Sequence, residues 1–242
     1  MLHFWSLAVE EQFYFIWPLI IFYIRDTKAL VRTCLGLAGM GLLLRCLLMR
    51  WSLGPGSEWA YAELPTHMDG LLAGAIAAIS FRLFTLEKIL QYVRWILPMS
   101  AAALLAIVTF SHTGNFNSYA MTTVGYPVLA IFFACILLFA LKADSVASWV
   151  GNLKVFRFFG KYSYGMYIFH YVFNPVTARL QPILQQRLHS IVLGGFAYVG
   201  LVFLGTIAVS VLSFNLYEKQ WLRLKSKFSY ASSNLEAQTV SR

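Results

Sequence analysis

Seven apolar stretches follow one another along the 242 residues, at about 5–24, 29–49, 67–83, 94–112, 120–141, 160–178 and 190–216. At about 1.5 Å per residue, a helix of roughly 20 residues crosses the ~30 Å hydrocarbon layer of a bilayer. Only 12% of the residues are charged and 59% are hydrophobic, whereas soluble domains carry about 25% charged residues. The pattern predicts an all-α integral membrane protein, a polytopic helical bundle of about seven transmembrane helices within residues 1–228. A polar tail over 229–242 is expected to be disordered. The third stretch, 17 residues long, reads as tilted or partly re-entrant.

The formal net charge of +9 raises the question of nucleic acid. The basic residues are spread between apolar stretches and not gathered on one domain, so membrane lipids are the expected partner and nucleic acid is not. Placing the connections after the first, third, fifth and seventh stretches on one side gathers 15 of the 19 Lys and Arg residues there. By the positive-inside rule that side is cytoplasmic, which puts the C-terminus in the cytoplasm and the start of the first stretch outside. Cys34, Cys46 and Cys135 all lie in apolar stretches and read as small packing residues. The first residues do not read as a cleaved leader.

The first stretch carries two adjacent acids, Glu10 and Glu11. An acid near the bilayer centre costs about 2.5–3.5 kcal/mol, less toward an interface. Either the acids have a use, or they mark the wet outer end of the helix. Glu10, Phe13, Tyr14 and Trp17 share one helix face, and Pro18 removes a backbone hydrogen bond, so a kink is expected there. Glu10 lies five residues beyond Trp5, deep enough to need a partner. Arg45, in the outer half of the second stretch, is a candidate for that partner. It could also snorkel to the headgroups together with Arg50.

Further along, His67 and Asp69 stand at the outer mouth of the third stretch. Two residues apart on a helix they point away from each other, an unfavourable spacing for a metal pair, and no metal is expected. Asp69 could instead cap the helix. Gly70 and Gly74 suggest a small-residue face for close helix packing. The fifth stretch, with Tyr126-Pro127, shows no chemical signal. In the sixth, Ser163, Tyr167, His170 and Asn174 draw one polar stripe, expected to face the bundle interior. His170 there is either a structural hydrogen bonder or a group that handles protons. Lys219, Arg223, Lys225 and Lys227 form a basic cluster that could anchor on anionic lipid or attract a polyphosphate ligand.

The run Trp5-Ser6-Leu7-Ala8-Val9-Glu10-Glu11-Gln12-Phe13-Tyr14, followed by Trp17-Pro18, resembles the acyltransferase 3 family of membrane O-acyltransferases, whose pattern reads WSL-x-VE-x-x-FY. Asp69-Gly70-Leu71 with Gly74 is similar to its D-x-L-x-x-G segment, Ser163 to His170 to its SY-x-x-Y-L-x-H segment, and Glu218 to its closing E-x-P. His67 stands where the family often has arginine, and Gln220 replaces the closing proline.

The resemblance implies transfer of an acyl group, commonly acetyl, from acyl-CoA as donor substrate, with no bound cofactor. The acceptor would be a hydroxyl of an extracytoplasmic glycan or lipid-linked saccharide, and the location a bacterial inner (plasma) membrane. It also implies further spans ahead of residue 1, the first bearing the histidine considered catalytic; a motif expected in mid-protein stands here at the start. On this reading Glu10, Arg45 and His67 are the catalytic candidates. Trp5, Ser6, Glu11, Tyr14, Asp69, Ser163, Tyr167 and His170 are the candidates for holding substrate. The alternative from another class is a catalytically inactive, truncated family member or a small membrane transporter.

Overall fold

The computed structural model describes residues 4–51, 64–110 and 119–227. Among the described residues all regular structure is helical, and the chain divides into two compact units, Met1–Asn152 and Leu153–Arg242.

The first unit holds α1 (Trp5–Tyr23), α2 (Thr27–Trp51), a single-turn α3 (Leu64–His67), α4 (Asp69–Leu83), α5 (Leu86–Phe110), α6 (Tyr126–Ala140) and α7 (Val146–Asn152). A π-helical turn, Met121–Gly125, leads into α6. Local chemistry sets several of these boundaries. Asp26 accepts from the Ala29 amide at 2.8 Å, which caps α2 and ends the connection from α1. The Ser145 hydroxyl accepts from the Ser148 amide at 3.0 Å and so opens α7. α1 continues through Pro18 to Tyr23.

α4 is the central helix of this unit. On one side Leu72 and Ile79 pack with Phe13 of α1 and with Leu30 and Cys34 of α2. On the other side Ala77 packs with Ile89 and Val93 of α5 and with Cys135 and Leu138 of α6. The buried cysteines Cys34 and Cys135 are free thiols, as expected of packing residues. Hydroxyls within the helices bond back to their own backbone, as Thr33 does to the Ala29 carbonyl (3.0 Å) and Ser80 to the Ile76 carbonyl (2.8 Å). In hydrocarbon no water would otherwise satisfy them.

The second unit holds α8 (Lys154–Thr177), α9 (Leu180–Arg187), α10 (Ile191–Ser213), a π-helical turn at Phe214–Glu218 and the basic α11 (Lys219–Lys227). α8 and α10 pack closely where the buried Gly165 meets Ser210: a Cβ on Gly165 would stand 3.1 Å from that of Ser210. Phe159 stacks on Phe203, and Tyr162 packs edge-on to Phe214. Ser190 caps α10 by accepting from the Leu193 amide at 3.2 Å.

Among the described residues, four helices are long and apolar enough to cross a membrane: Thr27–Leu48, Leu86–Phe110, Met121–Ala140 and Ile191–Arg223. The other expected spans coincide with α1, α4 and α8. α4 has only 15 residues, and α8 starts at Lys154 with Arg157 and Lys161 on its first turns.

The expected close packing of Gly70 and Gly74 is not what the fold does with them, since nothing lies within 4 Å of where their Cβ atoms would be. In α2 it is Gly41 that admits a close neighbour: a Cβ there would collide with the Pro65 carbonyl oxygen ahead of α4. Gly41→Ala should therefore lower the thermal unfolding midpoint in detergent, by the equivalent of about 1–3 kcal/mol. Gly39→Ala, with nothing within 4 Å, should leave it unchanged or raise it by up to about 1 kcal/mol. Tryptophan fluorescence against temperature measures both.

Candidate functional site

The site is built around Arg45, which is only 1% exposed although it sits in a helix of a membrane protein. Its Nη1 donates to the Thr122 carbonyl at 2.9 Å. Its Nη2 donates to the Thr66 carbonyl and to Oδ2 of Asp69. The guanidinium carbon lies 5.9 Å from the centre of the Tyr126 ring. One cation thus joins α2, the α3–α4 junction and the π-helical turn ahead of α6.

The Thr122 carbonyl is available for a reason written in the sequence. In the π-helical turn the Tyr126 amide donates to the Met121 carbonyl. The next amide in line would belong to Pro127, which has no N–H. The Thr122 carbonyl is left without a helical donor, and Arg45 supplies one. A buried carbonyl with no partner would cost about 1–3 kcal/mol. The break between α3 and α4 at Met68 similarly presents the Thr66 carbonyl, with Thr66 itself buried.

This arrangement corrects three expectations. The acid that partners Arg45 is Asp69, whose side chain is 11% exposed. Glu10 is exposed on α1, because the buried stripe of that helix runs through Val9 and Phe13, with Trp17 and Ile20 packed beside Phe13. Asp69 caps nothing with its side chain; it sits in the first turn of α4 facing the guanidinium. The fifth apolar stretch carries a chemical signal after all, in Tyr126-Pro127, the dipeptide that shapes the π-helical turn.

His67 stands beside the ion pair. Its ring centre lies 4.8 Å from that of Trp5, nearly perpendicular, and 6.0 Å from that of Tyr126. Trp5 at the start of α1 therefore reaches the cluster directly, while Glu10 stands five residues, about 7.5 Å, further along the helix. His67, Asp69 and Tyr126 form the polar end of a groove of about 350 Å³ between α4 and α6, which Gly70 and Gly74 also line. A second cavity of about 360 Å³ lies on the other side of the α4–α6 contact. Among the described residues Asp69 is its one charged lining residue, and it extends past Ser80 to Phe84 and Tyr92 at the far end of α4 and the first turns of α5.

The remaining expected residues of the first unit are on α1. Ser6 is half-buried on α1, while Glu11 and Tyr14 are exposed there. In the second unit the expected inward-facing stripe is not formed. Ser163 and His170 are exposed and Tyr167 is half-buried, while the packing face of α8 is centred on Gly165. The side chain of Asn174 lies outside the described residues. Ser163 donates to the Gly160 carbonyl at 2.9 Å, and Nδ1 of His170 lies 3.1 Å from the Met166 carbonyl oxygen, with the Tyr167 ring centre 5.9 Å away. A helix can satisfy short polar side chains on its own backbone, so polarity at helical spacing does not by itself require an interior position.

Compared with known protein families, residues 1–214 match the acyltransferase domain. The chain belongs to the acyltransferase 3 family. Within it, the chain is 26% identical over 189 residues to the peptidoglycan O-acetyltransferase OatA of Listeria monocytogenes, an alignment covering 75% of this chain and 29% of that protein. It is also 26% identical over 178 residues to the O-acetyltransferase OatA of Staphylococcus aureus strain NCTC 8325, covering 70% of this chain and 28% of that protein. The chain thus spans less than a third of the length of these curated relatives. No solved structure matches it.

The ion pair is open to a double-mutant test. Arg45→Met leaves Asp69 without its counter-charge and removes the donor to the Thr122 and Thr66 carbonyls, so it should destabilise by about 3–5 kcal/mol. Asp69→Asn, which keeps an acceptor oxygen, should cost less. Arg45→Met combined with Asp69→Leu should recover part of the loss, because it removes both charges together. Denaturation in mixed micelles measures the three variants against the parent.

Proposed function

We propose that this chain is the core of a membrane-bound O-acyltransferase. The enzyme moves an acyl group, in the first place acetyl, from acyl-CoA to a hydroxyl of an extracytoplasmic glycan or lipid-linked saccharide. The observation that carries the reading is the cluster of Arg45, Asp69 and His67 at the polar end of the α4–α6 groove, in a chain of the acyltransferase 3 family. The names of the relatives, one of them a peptidoglycan O-acetyltransferase, support acetyl as the group and a cell-wall glycan as the acceptor class. On this reading the protein is multi-pass in the inner (plasma) membrane. Its seven spans include the shorter α1, α4 and α8, and its C-terminus is cytoplasmic, where the basic α11 meets anionic lipid.

The reaction needs a base to take the proton from the acceptor hydroxyl, and donors to hold the negative charge on the carbonyl oxygen once the hydroxyl oxygen has bonded to the acyl carbon. Collapse of that intermediate breaks the carbon–sulfur bond, and the CoA thiolate leaves. His67, beside the groove, is the donor we assign to the oxyanion. Arg45 acts as a positioning residue, since it is buried, is bonded to Asp69 and two carbonyls and holds the His67 segment in place. Glu10 balances charge at the reacting groups and assists in proton removal. In the first unit Trp5, Ser6, Glu11 and Tyr14 on α1 contribute substrate contacts; in the second, Ser163, Tyr167 and His170 on α8 are the substrate-contact residues. The cavity on the Asp69 side, apolar along most of its length, suits the passage of an acyl group.

Membranes bearing the chain, alone and in the longest reading frame that contains it, are incubated with labelled acetyl-CoA and glycan. Label is expected in the glycan from the longer product. Glu10→Ala in that product should lower transfer about 100-fold or more with unchanged membrane insertion. Transfer within twofold of the parent removes Glu10 from the site. No transfer from either product overturns the enzymatic reading and favours transport.

A further inference from the structure

A pocket remote from the Arg45 cluster is built where α5 begins and α6 ends. Thirteen residues, about 20 Å along α6, separate its Phe139 from Tyr126. Its volume is about 800 Å³, within the ~300–1,000 Å³ range of small-ligand sites. One wall is a single face of α5, where Glu87, Leu90, Gln91 and Arg94 follow at i, i+3, i+4 and i+7. The opposite wall is Phe139 in the last turn of α6, with Leu141 and Lys142 just beyond it. Among the described residues Glu87, Arg94 and Lys142 are its charged lining residues, and their side chains have no hydrogen-bond or ion-pair partner. The Arg94 guanidinium carbon lies 5.4 Å from the ring centre of its neighbour Trp95, a contact that leaves the N–H groups available. Lys88 does not line the pocket; its ammonium lies 4.9 Å from the Phe84 ring centre.

The three charges are graded in depth. Arg94 opens the fourth apolar stretch and Lys142 directly follows the fifth, so both stand at the edge of the hydrocarbon layer. Glu87 stands seven residues, about 10 Å, further out, because α5 starts two turns ahead of its apolar stretch. A bilayer lipid with a cationic headgroup has the same order, phosphate next to the hydrocarbon and cation toward water.

We propose that this pocket binds phosphatidylethanolamine. Arg94 and Lys142 hold the phosphate, Glu87 and the Gln91 side-chain oxygen accept from the primary ammonium, and Leu90, Phe139 and Leu141 cover the glycerol end of the chains. Charge selects this lipid from others. A purely anionic headgroup would use the two cations and leave Glu87 facing it as a like charge. A choline headgroup would bring the positive charge but no N–H for the carboxylate to accept. A soluble phosphoethanolamine would leave the apolar walls uncovered. The assignment does not draw on acyl transfer.

The test uses the longest reading frame that contains this chain, purified in detergent and offered equal amounts of phosphatidylethanolamine, phosphatidylcholine and phosphatidylglycerol. Native mass spectrometry counts the lipid adducts. Phosphatidylethanolamine should exceed phosphatidylcholine about threefold to fivefold, the range of an exposed charge pair. The N,N-dimethyl lipid should fall between them on the unaltered protein. Glu87→Gln should bring the ratio to parity, and Arg94→Gln should lower bound phosphatidylethanolamine about threefold to fivefold. Lys88→Gln should change neither. Equal binding of the two zwitterionic lipids, a ratio that survives Glu87→Gln, or unchanged binding in Arg94→Gln would each overturn the proposal. So would an excess of phosphatidylglycerol that Arg94→Gln removes, which marks a site for anions alone. Displacement of the lipid by an equal concentration of glycerophosphoethanolamine would assign the pocket to a soluble ligand and overturn it as well.

Discussion

A guanidinium buried among membrane helices can exist only if its donors and its charge are both satisfied, and the first unit is arranged around that requirement. An unpaired cation in such a place would be expelled to an interface or would destabilise the fold by several kcal/mol. Arg45 is retained at 1% exposure because one carboxylate and two carbonyls converge on it from separate parts of the chain. Those parts are held there in turn by apolar packing: Leu72 and Ile79 of α4 against α1 and α2, Ala77 against α5 and α6. The polar cluster and the core specify the same arrangement, and neither would be sufficient alone.

The way the carbonyls become available links backbone geometry to chemistry. π-helical turns within longer helices are frequent at functional sites, and the one at Met121–Gly125 shows a physical reason. By shifting the amide–carbonyl pairing by one residue, and by placing Pro127 where the next donor would be, it leaves a carbonyl oxygen pointing out of the helix ladder. The same device sets the rotation of α6, and so decides that Tyr126 faces His67 and that Leu129, Phe133 and Leu137 line the groove.

Much of this was legible in the residues. The apolar stretches marked the long helices among the described residues, the family resemblance was carried by Trp5 to Tyr14, and His67 and Asp69 were placed at the outer mouth of the third stretch. What could not be read was partnership across the chain. Glu10 and Asp69 are both acids within reach of a membrane arginine by depth alone, and only the packing of α4 against α2 decides for Asp69. The glycines misled because a small residue allows either close contact or an open groove, and sequence spacing does not distinguish them. The stripe on α8 misled because Ser163 and His170 find their acceptors one turn back on their own helix. Tyr126-Pro127 shows no signal as a dipeptide because its effect depends on the π-helical pairing of the turn before it, which decides which carbonyl Pro127 leaves without a donor.

Two of the three acceptors that hold Arg45 are main-chain oxygens, which every amino acid carries. The side chains at positions 66 and 122 are thus free to vary among distant relatives, within the limits of the buried space they occupy, without loss of the clamp. Position 127 and the pair 45–69 are not free in this way. A comparison of sequences would see an isolated arginine, an aspartate and a proline, scattered over more than eighty residues, with nothing to show that they act together. What joins the three is visible only in the fold.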